Sequence, residues 1–148
     1  MANTETLNVF KFNHMVLHKN MQDITQEDSL KSPENGSACI SWIIGHLVLS
    51  RDEAHQLAGL PGFCDKKYIK LFDRGTDGNM VENPYTLEEM VKLFDESQNI
   101  LNDKLEKIDF SGDTKKLDKL TFYAFHEAYH VGQIGIQRRT IGKEGAIK

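Results

Sequence analysis

The segment HEAYH, residues 126–130, combines residue types that can bind a metal. It fits the pattern His-Glu-x-x-His, in which two histidines bind zinc and the glutamate is the general base of a metalloprotease. On a helix, His126 and His130 are separated by about 6 Å of rise and 40° of rotation, so both imidazoles can reach one ion. Such a pair still needs a third ligand and a fold that positions it.

The residues around this segment argue against a protease. Extended metzincin motifs continue with a glycine and a third histidine, but Gln133 and Ile136 occupy those positions. No segment has a convincing strand pattern, so there is no sheet edge on which an extended peptide could bind. Glu127 points about 100° away from His126 around the helix, which leaves three roles open: general base, support of the ligands or interface contact.

His46 is the better candidate for the third ligand, because it lies on the inward face of the second predicted helix. A single inward histidine is more often a hydrogen-bonded core residue, so this position alone is weak evidence for a metal. His14 and His18 have the same i, i+4 spacing and compete for the metal. They lack a comparable motif, so His14 is interpreted as a pocket-lining hydrogen-bonding residue and His18 as a surface residue.

Other polar residues have weaker signals. Gln98 interrupts an apolar row, where it would line the pocket and donate to a substrate or would satisfy a buried partner. Gln133 and Arg138 would support the site or a dimer contact, although solvated charge is the simplest interpretation of an arginine. We expect Cys39 to pack in the core and His55 to be solvated.

Four amphipathic helices account for most apolar residues and predict an all-α, antiparallel four-helix bundle. The first runs from about Leu7 to Ile24, and the second from Cys39 to a stop at Gly59 and Pro61. The third begins at a Thr86–Glu89 capping box, and the fourth extends from about Thr114 to Thr140.

A connection of about 25 residues, 61–85, separates the second and third predicted helices, whereas bundle connections usually have 2–8 residues. Within it, KKYIKLF could form a short helix whose Tyr68, Leu71 and Phe72 pack on the bundle. Two explanations of the length stay open, a lid over the site and a plain crossover between helices that are not neighbours.

Composition narrows the class of partner. The chain has 148 residues, which we interpret as one domain over residues 1–148, and a formal net charge of −4. A basic patch of the kind that binds nucleic acid is missing, and so is an apolar run long enough for a membrane span. Cys39 and Cys64 have no CxxC spacing, which is typical of free thiols in a reducing compartment. We therefore expect a cytoplasmic protein with a small-molecule substrate.

Three segments, SWIIGHL (41–47), KLFDRGT (70–76) and HEAYHVGQIGIQRRTIG (126–142), resemble the DinB/YfiT-like group of metal-binding helical bundles. The resemblance covers nearly the whole chain. It implies that His46, His126 and His130 bind one divalent metal and that the protein is a homodimer. It also implies transfer or isomerisation chemistry with low-molecular-weight thiols, as in characterised branches of the group.

The expected chemistry is Lewis-acid activation of a thiol or water by a divalent metal for transfer, isomerisation or hydrolysis of a small molecule. Zinc, nickel and iron(II) all suit an all-imidazole site. The competing hypothesis is a non-catalytic, dimeric metal- or ligand-binding protein related to stress, for which a closed four-coordinate site would be typical.

Overall fold

The computed structural model describes residues 3–147, in which all regular structure is helical and no strand occurs. Its six helices are α1 (Thr4–Asn20), α2 (Gln26–Leu30), α3 (Ile40–Leu57), α4 (Lys66–Phe72), α5 (Leu87–Leu105) and α6 (Thr114–Thr140). The four long helices are those predicted from the sequence, and the all-α fold class is confirmed. None of the described helices is long and apolar enough to cross a membrane.

The four long helices form the bundle, with α1 and α3 each packed against both α5 and α6. Two clusters of buried side chains show the direction of each helix. One cluster joins the beginnings of α3 and α5 to the ends of α1 and α6, through residues such as Ile43, Phe94, Leu17 and Ile134. The other joins the opposite ends, through Ala58, Leu105, Leu7 and Leu120.

It follows that α3 and α5 run in one direction, while α1 and α6 run in the other. The expected antiparallel arrangement holds between these two pairs and is wrong within each pair. Because α3 and α5 are parallel neighbours, the chain must travel back along the bundle between them. A helix of 18 residues spans about 27 Å, which a short loop cannot cover. The long connection is therefore a crossover between neighbouring helices, not between distant ones.

The predicted short helix within this connection is confirmed as α4. Asp65 caps it by accepting a hydrogen bond from the Tyr68 amide at 2.8 Å, and the side chains of Tyr68 and Phe72 are buried. Phe72 lies directly against Gly45 of α3, where a Cβ atom would overlap the phenyl ring. Glycine is therefore required at residue 45 for α4 to approach α3 this closely.

Helix ends follow local chemistry. The Thr86–Glu89 capping box is present at the start of α5, and Gly142, at a φ of 89°, follows the end of α6. The first helix ends at Asn20, four residues before the predicted Ile24, because a second capping box at Thr25 and Asp28 begins the unpredicted helix α2.

Candidate metal centre

His46 of α3 meets the pair His126 and His130 of α6 where these two helices pack together. The Nε2 atom of His126 lies 3.3 Å from Nε2 of His46 and 3.2 Å from Nε2 of His130. Ligands of a tetrahedral zinc ion with nitrogen bonds of 2.0–2.1 Å would be about 3.3 Å apart. The three donor atoms thus have nearly the spacing that shared coordination requires, and the group could hold a metal ion.

Each of the three imidazoles is held through its other nitrogen. His46 Nδ1 donates to the Phe72 carbonyl at 2.7 Å, and His130 Nδ1 lies 2.8 Å from the Gln133 side-chain oxygen. His126 Nδ1 forms a hydrogen bond of 3.1 Å with the Ser50 hydroxyl. Such partners fix the orientation and tautomer of metal-binding histidines. Here they leave the Nε2 atoms pointing at one another.

This arrangement favours a cation at the centre. With protons on Nδ1 of His46 and His130, their Nε2 atoms carry lone pairs and cannot donate. His126 can supply at most one Nε2 proton for its two neighbours. At least one pair of nitrogens at hydrogen-bonding distance would then face each other lone pair to lone pair, which is repulsive unless a positive charge lies between them.

The environment also keeps these rings neutral, as a metal ligand must be. Burial is the main cause, and it lowers the pKa of His46 and His130 below the ordinary value for histidine. For His126, burial and the neighbouring histidines lower the pKa to about 4. At neutral pH each of the three imidazoles is therefore uncharged and carries a lone pair on one of its two nitrogens.

Aromatic rings enclose the triad. The indole of Trp42 stacks on His46, with 4.8 Å between ring centroids, and its Nε1 donates to the Thr76 hydroxyl at 2.9 Å. On α6, the Phe122 ring stacks on His126 and the Tyr129 ring lies edge-on to His130, with 6.0 and 5.0 Å between the ring centroids. These two α6 side chains are about half or more exposed, so the triad borders an open aromatic surface.

Glu127 faces away from the triad, into the core. Its carboxylate accepts two hydrogen bonds from the guanidinium of Arg51, one from Nε and one from Nη2 at 2.7 Å. Arg51 is fully buried between the rings of Phe10 and Phe94, 5.0 and 4.3 Å from their centroids. Glu127 is therefore half of a buried ion pair, and the role of general base does not fit its position.

The remaining predicted residues have defined partners. Gln98 is buried, accepts from Arg51 at 2.5 Å and donates to Asn102, so its amide satisfies buried groups. Gln133 supports the site through His130, as expected. Arg138 is buried rather than solvated, and its Nη1 donates to the Asn20 and Gln22 carbonyls at the end of α1.

Two further predictions concern Cys39 and His55. Cys39 is buried in the core, as expected. The prediction that His55 is solvated is wrong, because it is 2% exposed and its Nε2 hydrogen-bonds the Ser97 carbonyl at 2.9 Å. His14 and His18 lie together on the outside of the bundle, between α1 and α5, where both contact Asp95. They are not part of the central triad.

Arg51 was missed by sequence reasoning, although one signal could have found it. The segment WIIGHLVL (42–49) is apolar around the whole helix apart from His46, and all residues from Ile40 to Asp52 are buried. In a helix that is apolar on every side, a single arginine implies a buried acidic partner. The acidic residue inside HEAYH is such a partner.

A family model described as DinB superfamily matches residues 10–134. The chain belongs to this superfamily. The matched region includes all three triad histidines, the Phe72 carbonyl and the Arg51–Glu127 pair. The predicted resemblance is therefore confirmed, together with the helical-bundle fold. Among curated proteins, none matches the chain.

Proposed function

We propose that this DinB superfamily protein is a metal-dependent enzyme that binds one divalent ion through His46, His126 and His130 and acts on a small molecule. One observation carries the proposal, namely that all three Nε2 atoms converge while every Nδ1 atom is engaged by another group. A histidine whose only role is to hydrogen-bond a buried group does not need two further histidines with their Nε2 atoms directed at the same point.

The chain's own residues suit transfer, isomerisation or hydrolysis with a thiol or water as nucleophile. Three neutral ligands leave the charge of the ion undiminished, so that when bound it supplies Lewis acidity toward either group. Trp42 covers one side of the site and limits access of solvent. Zinc, nickel and iron(II) all match the imidazole donors.

Charge near the triad favours an anionic substrate or co-substrate, such as a low-molecular-weight thiol with a carboxylate. The guanidinium of Arg74 lies 5.9 Å from the centroid of the Phe122 ring, which stacks on His126. Its positive charge contributes to the lowered pKa of all three ligands. Arg74 is exposed, so its charge is available to a bound anion.

We also propose that the protein acts as a homodimer. Large apolar side chains repeat along the outside of α6 at intervals of three, four and seven residues: Phe122, Phe125, Tyr129 and Ile136. On the neighbouring helix α1, Phe12 is 61% exposed. A surface of this kind on a soluble protein is typical of an interface. Val16 of α1 is half-buried, whereas Ile44 and Val48 of α3 are fully buried in the core and cannot contribute to such an interface.

A cytoplasmic location fits the two free cysteines, Cys39 and Cys64.

A second candidate function is non-catalytic, in which the dimer holds a structural ion or a ligand in a stress-related role. The ion pair of Glu127 with Arg51 favours it, because this removes the acidic residue of HEAYH from acid–base chemistry. A fourth protein ligand that closes the coordination would also favour it over an enzyme.

The test begins with metal analysis of protein purified without an affinity tag, followed by a screen for thiol transfer to electrophilic substrates. We expect His126→Ala and His130→Ala to lose metal from the triad and to lose activity. Lys119→Ala is the matched control on α6, because it removes an exposed side chain from the same helix. Metal retained with unchanged affinity in both histidine variants would refute the site. A metal-loaded protein without activity in the screen would favour the second candidate function.

A further inference from the structure

Outside the bundle, between α1 and α5, two histidines converge on one carboxylate. The Nε2 atoms of His14 and His18 each lie 2.6 Å from the same oxygen, Oδ1 of Asp95. The three side chains are 30%, 44% and 38% exposed, in the order His14, His18 and Asp95. This group shares no residue with the central triad and lies on a different pair of helices.

Helix geometry and packing hold the two imidazoles in place. His14 and His18 are one helical turn apart, so their rings project side by side, with 4.7 Å between centroids. The His14 ring also stacks, at 6.0 Å and an interplanar angle of 14°, on Phe94, which is fully buried. Because Phe94 is fixed in the core, it orients the His14 ring toward Asp95 of the same helix, α5.

We propose that His14, His18 and Asp95 form a second metal site that binds a divalent transition ion of the zinc class. Two imidazole nitrogens and one carboxylate oxygen are a donor set that zinc uses with an open position for water. Around a tetrahedral ion, nitrogen and oxygen ligands would be about 3.3 Å apart. The present contacts must therefore open by about 0.7 Å, which half-exposed side chains achieve by small rotations.

Such an ion would link α1 to α5, which contact each other less than α1 contacts α6. It would also border a concave surface, because His18 lines a groove of about 590 Å³ together with Met21, Thr86 and Leu87. His18 thus places the proposed site at the edge of this groove. Since the ion is bound from outside, this site does not depend on the proposed function of the triad.

The test counts zinc ions per chain by equilibrium dialysis of the full-length protein against zinc alone. We expect two ions per chain in the wild type and one ion in both His18→Ala and Asp95→Asn. Loss of a ligand should weaken the outer site by at least the 10–100-fold that loss of a supporting residue typically causes. Asp103→Asn is the matched control, since it removes an exposed aspartate from the same helix and should leave two ions.

Tryptophan fluorescence distinguishes zinc bound at the triad from zinc bound at the outer site. Trp42 is the single tryptophan and stacks on His46, so its emission reports an ion at the triad. We expect its response to zinc to persist in Asp95→Asn and to disappear in His126→Ala, whose count should also fall to one. A zinc count and affinity that stay the same in His18→Ala and Asp95→Asn would overturn the outer site. A count that falls in Asp95→Asn but not in His126→Ala would instead refute the triad alone.

Discussion

Replacement of Glu127 by glutamine should destabilise the protein without removing the triad metal. In the wild type both guanidinium N–H groups of Arg51 that face Glu127 are matched by its carboxylate, and the two side chains are 0% and 1% exposed. Glutamine has nearly the same shape but no charge, so the buried Arg51 cation loses its counter-charge. Removing one partner of a buried ion pair typically costs about 3–5 kcal/mol.

The structure places the expected loss at the lower end of that range. The glutamine oxygen can still accept one guanidinium hydrogen bond, and Arg51 keeps Gln98 and two phenyl rings. We therefore expect the free energy of unfolding to fall by about 3 kcal/mol. With a urea dependence of about 2 kcal/mol per molar, the midpoint of urea unfolding would fall by about 1.5 M. Circular dichroism at 222 nm would follow the transition.

Two variants make this result specific. Glu96→Gln is the control, since it removes an exposed carboxylate on α5 and should shift the midpoint by less than about 0.5 M. The double variant Arg51→Met with Glu127→Leu should recover most of the loss, because apolar replacement of a whole buried pair is often neutral. An unchanged midpoint in Glu127→Gln would refute the structural role. We expect no peptide cleavage by the wild type; metal-dependent cleavage of a peptide that disappears in Glu127→Gln would restore the metalloprotease interpretation.

The remaining predictions concern α4, pH and association. Gly45→Ala should displace Phe72 and so weaken triad zinc affinity, measured by Trp42 fluorescence, by about 10–100-fold, whereas Gly112→Ala, where a Cβ atom meets open space, should not. The metal-free protein should lose stability as pH falls from about 6.5 to about 4, because the lowered pKa of His126 lets the unfolded chain take up its proton first. Since His126 is partly exposed, we expect it to contribute only about 1–2 kcal/mol to this loss of stability. The loss is measured as the difference in the free energy of urea unfolding between pH 7 and pH 4.5. His126→Gln should make this difference smaller. Phe125→Asp should convert a dimer into monomers by light scattering, and a wild-type protein that is already monomeric would contradict the dimer proposal.

The parts of the fold that sequence predicted well depend on local patterns. The Thr86–Glu89 capping box and the apolar spacing of α6 are properties of neighbouring residues, so α5 and α6 begin where expected. The direction of each helix could not be predicted from local patterns, because it depends on which helices share a core. The long connection could have signalled parallel neighbours, since only a parallel pair needs a return along the whole bundle.

The site was predictable where a motif exists and not where partners are distant in sequence. His46 and His126 are brought together across 80 positions, and family motifs supplied that pairing. Asp95 has no motif, so its contact with His14 and His18 could not be inferred from the i, i+4 spacing of the histidines alone. The prediction for His55 was wrong for a similar reason, because the Ser97 carbonyl that hydrogen-bonds its ring belongs to another helix.

The glutamate of HEAYH, Glu127, is best understood from its position between the two ligands His126 and His130. Ser50 and Arg51 are adjacent on α3, and they hold His126 and Glu127, which are adjacent on α6. Apolar side chains tolerate small shifts between packed helices, whereas a two-point guanidinium–carboxylate contact does not. A displacement of α6 by one residue would break this contact and would also separate His126 from His46. The Arg51–Glu127 pair thus disfavours other registers of α6 against α3, and the register that it stabilises is the one in which His126 meets His46.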